Sequence, residues 1–568
     1  MTHLSAHIRN LSFRYRGQQK NALDKISLEL KKGDFLVVMG PTEAGKSTLA
    51  ACLNGLIPHF FKGRFEGDVT VLGKDTRHTT VAQMSEHVGI VFQDFEAQLF
   101  STSVELEVAF GPESLGLARA EIARSVDENL ELVGLLSLKG RSPATLSGGQ
   151  KQKLAIASVL ALSPAVMVMD EPTTDLDPES KREIFRITGE LRQRNDMTLV
   201  VVEHETEEVV NAEHVLLLKD GEVVAYGRAS DVLRRPETLA ELGVMPIGMA
   251  AYFSRMGADT IPLTVDEALS AFRAKGWRFS EERHCALGQG DSRRSRTYGG
   301  LLIECRALEY EYPNGVRALE GIDLTIQRGE MVAIIGQNGG GKTSLVKHFN
   351  ALLLPTRGTV TVEGQPTSTQ GLYELGQKVG YVFQNPDHQI FCETVFDEVA
   401  FGPRQRKVPE DDIKRRVGGA LQAVGLAGLE KEDPFTMTKS GRKRVAVASV
   451  LALEPEVLVL DEPSTGLDYA EQRSMMELVR RLNEQGRTII FVTHHMWIVA
   501  EYAHRIVVVK DGKILMDGPT REILAREQEL AEACLRVPQV VAFSNALGRT
   551  ALSVDELVSC TQTDGAQS

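Results

Sequence analysis

Two glycine-rich segments have the residue types and spacing that suit phosphate binding. GPTEAGKST begins at residue 40 and GQNGGGKTS at residue 336, and both fit the pattern G-x-x-x-x-G-K-[ST]. The backbone N–H groups of such a loop surround a polyphosphate, the lysine adds a positive charge, and the following hydroxyl holds Mg²⁺. The predicted nucleotide-binding residues of the two loops are Gly40, Pro41, Thr42, Glu43, Ala44, Gly45, Lys46, Ser47 and Thr48, and Gly336, Gln337, Asn338, Gly339, Gly340, Gly341, Lys342, Thr343 and Ser344.

A pair of acidic residues ends an apolar run after each loop. Asp170 and Glu171 follow VMVM, and Asp461 and Glu462 follow VLVL. The first carboxylate of such a pair can bind Mg²⁺, and the second can orient or deprotonate an attacking water. A lone acidic residue at a strand end is often only a solvated turn residue. Here both pairs follow a phosphate loop, which favours the chemical role.

A glutamine and a histidine also recur in each half. Gln93 and Gln384 end VFQ runs and could reach the metal and the water. His204 ends VVEH, and His494 is the first histidine of VTHH. A single histidine there is more often packed than catalytic, but duplication at corresponding positions favours contact with the γ-phosphate. The predicted catalytic residues are Glu462, His494, Gln384, Glu171, His204 and Gln93. The predicted metal ligands are Ser47, Gln93, Asp170, Thr343, Gln384 and Asp461.

An aromatic residue precedes each phosphate loop. Tyr15 lies in FRYRG and Tyr312 in YEYPNG. Either ring could stack on adenine, and the alternative is that both are ordinary core aromatics.

The sequence segments that must position these residues form an internal repeat. VFQDFEAQLFSTSVELEVAFGPE at residue 91 returns at residue 382 as VFQNPDHQIFCETVFDEVAFGPR, and a weaker repeat relates residues 239–270 to 530–559. Between the copies, GQGDSRRSRTYGG is rich in Gly, Ser and Arg without an apolar period, which predicts a flexible linker. The predicted domains are residues 1–230, an extension over 231–287, the linker over 288–300, a second domain over 301–525 and its extension over 526–568.

Short apolar runs alternate with helical stretches in both halves. FLVVMG, VMVMDEP and TLVVVEH in the first half correspond to MVAIIG, VLVLDEP and TIIFVTHH in the second. These runs lack strict alternation of polar and apolar residues, as expected for strands that are buried on both faces. The pattern predicts an α/β fold with a mainly parallel sheet covered by helices in each half.

Composition limits the classes of function. The chain has 568 residues, 42% of them hydrophobic and 25% charged, so disorder is not expected as the main state. The formal net charge of −13 has the wrong sign for a surface that grips nucleic acid, and no nucleic-acid partner is predicted. No long apolar run and no signal-peptide core are visible, so we expect no segment to cross a membrane. Six cysteines without a C-x-x-C pair indicate free thiols.

The order of these motifs resembles that of ATP-binding-cassette ATPases in both halves. Besides the loops and acidic pairs, it includes LSGGQ at residues 146–150, and after DEP it includes TTDLD in the first half and STGLD in the second. The resemblance implies a P-loop NTPase fold with a helical subdomain, and ATP and Mg²⁺ as cofactors. It also implies a head-to-tail pair in which each ATP lies between the phosphate loop of one half and the LSGGQ segment of the other. The LSGGQ residues assigned to the nucleotide are Ser147, Gly148, Gly149 and Gln150.

The two halves depart from the family pattern at different places. The second half has MTKSG at residues 437–441 in place of LSGGQ, and the first loop has Glu43 where such loops usually carry glycine. The crossed pairing puts both departures in one composite site. We therefore expect an intact site built on Lys342 and Glu462, and a second site built on Lys46 and Glu171 that binds ATP but hydrolyses it slowly.

The segment after the VFQ glutamine resembles that of energy-coupling-factor importer ATPases. VFQNPDHQIFCETVFDEVAFGP matches closely, and the first half keeps the pattern with DFE in place of NPD. The resemblance implies a peripheral protein on the cytoplasmic face of the cell membrane. Its implied partners are an integral transmembrane coupling protein and a small substrate-capture membrane protein, and the implied substrates are vitamins, their precursors, or cobalt and nickel ions.

The sequence is also compatible with two other functions. A soluble tandem-cassette protein acting on ribosomes or nucleic acid would also need two fused ATPase halves, but a lysine-rich helical linker or an N-terminal cysteine cluster is not visible. A fused ATPase pair serving an ordinary importer or exporter differs only in the segment after the glutamine and in the C-terminal extension.

Overall fold

The computed structural model describes residues 4–173, 176, 178–193, 197–207 and 209–563. Contacts within the chain divide it into two compact units, Met1–Ala250 and Ala251–Ser568. Within the described part, no helix combines the length and the apolar character needed to span a membrane.

The strands of the described residues are numbered β1 to β22 in chain order. They are Leu4–Tyr15, Leu23–Lys31, Phe35–Met39, Gly63–Val71, Lys74–Asp75, Val88–Val91, Val166–Asp170, Thr198–Val202, His214–Lys219, Glu222–Arg228, Arg278–Phe279, Leu301–Glu311, Arg317–Gln327, Met331–Ile335, Arg357–Val362, Gln365–Pro366, Val379–Val382, Val457–Asp461, Thr488–Val492, Arg505–Lys510, Lys513–Pro519 and Thr561–Gln562.

The helices are numbered α1 to α23 in the same way. They are Lys46–Leu53, Leu56–His59, Val81–Ser85, Val104–Ser114, Arg119–Leu132, Gly148–Leu160, Pro178–Gln193, Ala229–Leu233, Pro236–Glu241, Gly248–Arg255, Val265–Ala274, Glu281–Ser295, Lys342–Lys347, Leu372–Lys378, Val395–Gln405, Glu410–Val424, Lys439–Leu451, Tyr469–Glu484, Met496–Tyr502, Thr520–Leu524, Glu527–Glu532, Gln539–Ala546 and Val554–Cys560.

The first unit contains a six-stranded sheet in the order β10-β9-β3-β8-β7-β6. Its neighbouring strands are parallel except for the β9–β10 pair. The strands β3, β7 and β8 are buried at every residue, which explains why their sequences are continuous apolar runs. A separate antiparallel sheet, β2-β1-β4-β5, lies in the same unit. This arrangement confirms the predicted α/β fold with a mainly parallel sheet.

The second unit repeats this topology. Its six-stranded sheet has the order β17-β18-β19-β14-β20-β21, and its four-stranded sheet has the order β13-β12-β15-β16. Only the β20–β21 pair of the larger sheet is antiparallel. In each unit three longer helices pack on one another beside the sheet, α4 with α5 and α6, and α15 with α16 and α17. They form the helical subdomain that the family resemblance implies.

A hydrophobic core fixes the helix after each phosphate loop. In the first unit, Leu49 and Leu53 of α1 are buried in one cluster with Leu36 of β3, Val168 of β7 and Phe13 of β1. In the second unit, residues of α13, β14, β18 and β12 form the equivalent cluster. Because the helix packs between the two sheets, the start of the helix is held at the carboxyl edge of the parallel strands.

The extensions of the two repeats pack on each other within the second unit. Strand β11 pairs with β22, at Arg278 with Gln562 and Phe279 with Thr561. The buried Tyr252 hydroxyl lies 2.6 Å from the Thr561 hydroxyl, and the Tyr252 ring lies 5.7 Å from that of Phe543. The first repeat's extension thus completes a small domain with the last helices of the chain.

The segment predicted as a flexible linker, residues 288–300, is largely helical, and that prediction is wrong up to Ser295. Helix α12 begins at Glu281, and the hydroxyl of the preceding Ser280 caps it by accepting a hydrogen bond from the backbone of Arg283. Asp291, within the predicted linker, forms an ion pair with the Arg521 guanidinium at 2.9 Å. Tertiary contacts of this kind stabilise a helix that lacks an apolar period of its own.

The Tyr252–Thr561 contact gives a stability prediction. Thr561 donates its own hydroxyl proton to the Leu557 carbonyl at 2.7 Å, so the Tyr252 hydroxyl is the donor to Thr561. We expect Tyr252→Phe to lower the free energy of unfolding of the second unit by about 1 kcal/mol, because one buried hydrogen bond is lost. Both tryptophans, Trp277 and Trp497, belong to this unit. Urea unfolding followed by tryptophan fluorescence therefore measures the change.

The control for this experiment is Tyr226→Phe. Tyr226 lies in the first unit, is half-exposed, and its hydroxyl is 3.5 Å from the Glu29 carbonyl. This change should leave the tryptophan transition where it is in the unaltered protein. Equal shifts in both variants, or no shift for Tyr252→Phe, would contradict the assignment of the bond to the second unit's stability.

Candidate active site

The phosphate loops connect a buried strand directly to a helix. Gly45 and Gly341 precede helices α1 and α13 with positive φ angles of 98° and 102°. A Cβ at Gly45 would lie 2.3 Å from the Ala22 carbonyl oxygen, and one at Gly341 would lie 2.5 Å from the Ala318 carbonyl oxygen. Only glycine fits at either position, because both the backbone conformation and the neighbouring carbonyl exclude a side chain.

The loop lysines are buried at the centre of the loops. Lys46 donates from Nζ to the carbonyls of Gly40 at 3.0 Å and Pro41 at 2.7 Å. Lys342 makes the corresponding bonds to Gly336 and Gln337, both at 2.8 Å. In each half an ammonium group therefore sits inside the loop whose N–H groups begin the helix, which is an arrangement suited to an anion.

The two loops differ at one backbone position. Glu43 is exposed and has a φ of 64°, in the left-handed region, and the corresponding Gly339 has a φ of 79°. The left-handed conformation costs a residue with a side chain about 1–2 kcal/mol, whereas glycine adopts it freely. The first loop thus keeps the fold of the second while adding a carboxylate beside the predicted polyphosphate.

The upstream tyrosines are tied to the helices that follow the loops. The Tyr15 hydroxyl lies 3.1 Å from that of Thr48, and the Tyr312 hydroxyl lies 2.9 Å from that of Ser344. Both rings remain partly exposed. Each ring is therefore held beside a phosphate loop with part of its surface open, where a base could stack.

The first acidic pair contacts the predicted glutamine and histidine. Gln93 donates from Nε2 to Glu171 Oε2 at 2.7 Å, and His204 Nε2 lies 2.7 Å from Glu171 Oε1. Burial raises the pKa of Asp170 to about 6, although a hydrogen bond from Ser47 opposes the shift. Five predicted residues of the first half thus meet at the carboxyl ends of β7 and β8, namely Ser47, Gln93, Asp170, Glu171 and His204.

The second acidic pair has a different set of partners. Thr343 donates to Asp461 Oδ1 at 3.2 Å, and Tyr381 donates to Asp461 Oδ2 at 2.7 Å. Glu462 Oε2 lies 3.0 Å from His494 Nδ1 and accepts a hydrogen bond from Thr465 at 3.2 Å.

The pKa values of this pair shift in opposite directions, since the partners of Glu462 outweigh its burial and those of Asp461 do not. Burial tends to raise the pKa of Glu462, but the adjacent His494 outweighs it and the net shift is downward. Burial raises the pKa of Asp461, and the hydrogen bond from Tyr381 opposes this. The downward shift of the Glu462 pKa favours its ionised form, which is the form that can accept a proton from water.

Gln384 is not brought into this cluster. Its side chain is exposed, and within the described part of the chain it makes no hydrogen bond to Asp461 or Glu462. Strand β17 ends at Val382, so Gln384 lies in the loop beyond the strand.

The donor set beside each loop suits Mg²⁺. Oδ1 of Asp170 is buried and has no hydrogen-bond partner within the described residues, next to the hydroxyl of Ser47. Thr343 and Asp461 form the equivalent pair in the second half. Hydroxyl and carboxylate oxygens are the ligands that this ion prefers, and an unpaired buried carboxylate oxygen is costly unless a cation or donor reaches it.

The LSGGQ segment and its replacement form the same helix start. The Ser147 hydroxyl accepts from the Gln150 backbone at 3.3 Å at the start of α6, and the Thr438 hydroxyl accepts from the Gly441 backbone at 3.1 Å at the start of α17. The second half therefore keeps a hydroxyl cap but places Lys439 where the first half has Gly148.

Two residues near the second acidic pair belong to none of the predicted sites. Tyr381, which bonds Asp461, stands where the first half has Ile90. Lys443 donates to the Glu462 carbonyl at 2.9 Å and stands where the first half has Gln152. The signal was present as a difference between the repeats, in VGIVFQ against VGYVFQ and in KQK against RKR.

The chain is similar to several known proteins. The family described as "ABC transporter" matches residues 23–174 and 319–465. A protein of Caldanaerobacter subterraneus subsp. tengcongensis, described as an ABC transporter ATP-binding protein, is 51% identical over 98% of this chain and 98% of its own length. One of Methanosarcina acetivorans with the same description is 38% identical over 97% of this chain and 92% of its own. The structure of cbiO1 from Clostridium perfringens, part of the ABC transporter complex cbiONQ, covers 42% of this chain and 97% of its own at 37% identity and a TM-score of 0.38.

The difference between the loops gives a binding prediction. In a Lys342→Ala background, which disables the second loop, we expect Glu43→Gly to tighten ATP binding about fivefold. The reason is that one carboxylate near a phosphate costs about 1 kcal/mol in a solvent-exposed site. Titration with a fluorescent ATP analogue measures the change.

The matched control uses the second loop. In a Lys46→Ala background, Gly339→Glu should weaken binding by a similar factor, because both positions have the same left-handed backbone. If Glu43→Gly leaves the affinity unchanged while Gly339→Glu lowers it, the Glu43 carboxylate does not face the nucleotide.

Proposed function

Because the chain belongs to the ABC transporter ATP-binding proteins and is an ATPase with two tandem cassettes, we propose that it drives an energy-coupling-factor importer. Two cassettes on one chain keep a one-to-one ratio and a high effective concentration for each other. The observation that carries the proposal is a pair of exposed phenylalanines after the VFQ glutamine in each half.

These phenylalanine pairs have the same geometry in both halves. The rings of Phe100 and Phe110 lie 4.7 Å apart at an interplanar angle of 86°, and those of Phe391 and Phe401 lie 4.7 Å apart at 89°. Phe100 is 63% exposed and Phe391 is 59% exposed. Large aromatic side chains left in solvent at matching positions favour contact with a partner protein.

A buried glutamate holds each of these loops. Glu107 accepts backbone hydrogen bonds from Phe100 at 3.1 Å and Ser101 at 2.7 Å. Glu398 accepts the corresponding bonds from Phe391 and Cys392, both at 2.9 Å. The exposed rings are therefore presented on a fixed backbone, and a rigid surface of this kind costs little ordering entropy when a partner binds.

The proposed partners are an integral membrane coupling protein and a small membrane protein that captures the substrate. The chain would act at the cytoplasmic face of the membrane, and the substrate would be a vitamin, a vitamin precursor, or a cobalt or nickel ion. Support for this class comes from the resemblance of residues 382–403 to the energy-coupling-factor ATPases and from the repeated C-terminal extension.

In this proposal each ATP is bound by the phosphate loop of one half and the LSGGQ segment, or its replacement, of the other. Glu462 accepts a proton from the attacking water, and His494 keeps that carboxylate ionised and oriented at 3.0 Å. Mg²⁺, held by Thr343 and Asp461, would offset negative charge on the phosphates. The site on Lys46 and Glu171 binds ATP and turns it over slowly.

The asymmetry gives a kinetic prediction. We expect Glu462→Gln to lower the rate of phosphate release at least about 100-fold while ATP stays bound, because the general base is lost. Glu171→Gln should lower the rate less than about tenfold. Phosphate release and bound nucleotide, measured on the purified chain, test both variants. Equal losses in the two variants would contradict one intact and one slow site.

The partner proposal is tested by affinity purification from detergent-solubilised membranes. We expect small hydrophobic integral membrane proteins to copurify with the chain, and recovery to fall about tenfold or more in a Phe391→Ala, Phe401→Ala variant. Tyr373→Ala is the control, since Tyr373 is an exposed aromatic residue outside the two segments. Copurification of ribosomal RNA in place of membrane proteins, or equal losses in the control, would overturn the proposal.

A further inference from the structure

A lysine on the helix after the altered LSGGQ segment reaches the backbone of the hydrolytic carboxylate in its own half. Lys443 of α17 is 4% exposed and donates from Nζ to the Glu462 carbonyl at 2.9 Å and the Pro463 carbonyl at 3.4 Å. Burying an ammonium group is costly unless hydrogen bonds or charges compensate it. Here two backbone carbonyls next to the predicted general base provide that compensation.

The backbone at Glu462 has an uncommon conformation and is bonded on two sides. Glu462 has a φ of 51°, in the left-handed region that disfavours residues with side chains. Its N–H donates to the Val492 carbonyl at 3.0 Å, and its own carbonyl accepts from Lys443 at 2.9 Å. The N–H and the carbonyl of Glu462 are thus both hydrogen-bonded, the N–H to the neighbouring strand and the carbonyl to Lys443. These bonds fix the direction in which the Glu462 side chain leaves the backbone, and the contacts with Thr465 and His494 hold its carboxylate.

The first half shows the same site with a different residue. Glu171 has a φ of 50°, and Gln152 of α6 occupies the position of Lys443. Gln152 is 1% exposed, and neither its amide nitrogen nor its amide oxygen has a hydrogen-bond partner within the described part of the chain. The hydrogen bonds from Lys443 to the Glu462 and Pro463 carbonyls are therefore found in the half that carries the predicted hydrolytic site. A buried glutamine fits the same helix position in the first half.

We propose that Lys443 is a positioning residue for ATP hydrolysis in the second half. It acts through Glu462 by holding the carbonyls of Glu462 and Pro463, so that the carboxylate is held in one orientation for the attacking water. It does not itself contact nucleotide or water in this proposal. The inference rests on the proposed role of Glu462 as general base, and its test separates the two.

The test replaces Lys443 by the residue found in the first half. We expect Lys443→Gln to lower kcat for ATP about tenfold and to change KM less than twofold, because the loss concerns orientation during reaction and not nucleotide binding. Lys443→Met, which gives an unbranched side chain one heavy atom shorter and without donors, should behave in the same way. Tryptophan fluorescence in urea shows that both variants are folded before their rates are compared.

Arg444→Gln is the control for charge. It removes the same charge one residue further along α17, where the guanidinium bonds the Val424 carbonyl at 2.8 Å and the Ser474 hydroxyl at 3.0 Å. We expect kcat of this variant to stay within twofold of the unaltered chain. A tenfold loss here as well would assign the effect to the net charge of the helix and overturn the proposal.

A double variant shows whether Lys443 acts through Glu462. If it does, Lys443→Gln adds no further loss to Glu462→Gln, so the double variant and Glu462→Gln share one residual rate. A further tenfold loss in the double variant, or a kcat of Lys443→Gln within twofold of the unaltered chain, would overturn the proposal. Full turnover in Glu462→Gln combined with a loss in Lys443→Gln would instead show that Glu462 is not the general base, and that Lys443 acts elsewhere.

Discussion

The whole site depends on one constraint: a buried parallel strand must turn directly into a helix through a loop that has no room for side chains. Gly45 and Gly341 meet neighbouring backbone carbonyls at a distance that excludes a Cβ. The loop therefore closes around its lysine, and the first N–H groups of α1 and α13 face the carboxyl edge of the sheet. The carboxyl ends of parallel strands lie at that same edge, so the acidic pairs and histidines that follow the neighbouring strands also lie there.

The duplicated scaffold carries two different chemical environments. In the first half, Asp170 keeps a buried oxygen without a hydrogen bond among the described residues, and the glutamine, histidine and glutamate form one bonded group. In the second half, Tyr381 bonds Asp461 and Lys443 bonds the Glu462 backbone. The two sites thus differ because of a few substitutions on the same sheet topology. The strands fix the positions of the acidic residues, and the neighbouring side chains determine their hydrogen bonds and their charge interactions.

The second unit also shows how contacts override local composition. The Gly- and Ser-rich residues after 287 have no apolar period, yet α12 continues to Ser295. Its residues are bonded to distant parts of the chain, such as Asp291 to Arg521 and His284 to the Thr550 carbonyl. Similarly, β11, in the middle of the sequence, pairs with β22 near the last residues of the sequence. None of these three pairings has a signal in the local sequence, since each depends on which distant residues the fold brings near.

The sequence by itself determined the repeat, the parallel sheets, both phosphate loops and the residue types at the strand ends, because hydrophobic period and motif spacing are local properties. The family resemblance marked Glu43 as a residue in a usual glycine position, and the Glu43 backbone is left-handed. Only the tertiary structure decided that Gln93 reaches Glu171 while Gln384 does not reach Glu462. The same holds for the roles of Tyr381 and Lys443, which lie 80 and 19 residues from their partners. Contacts between side chains on different elements depend on the angles at which those elements pack, and no local pattern encodes those angles.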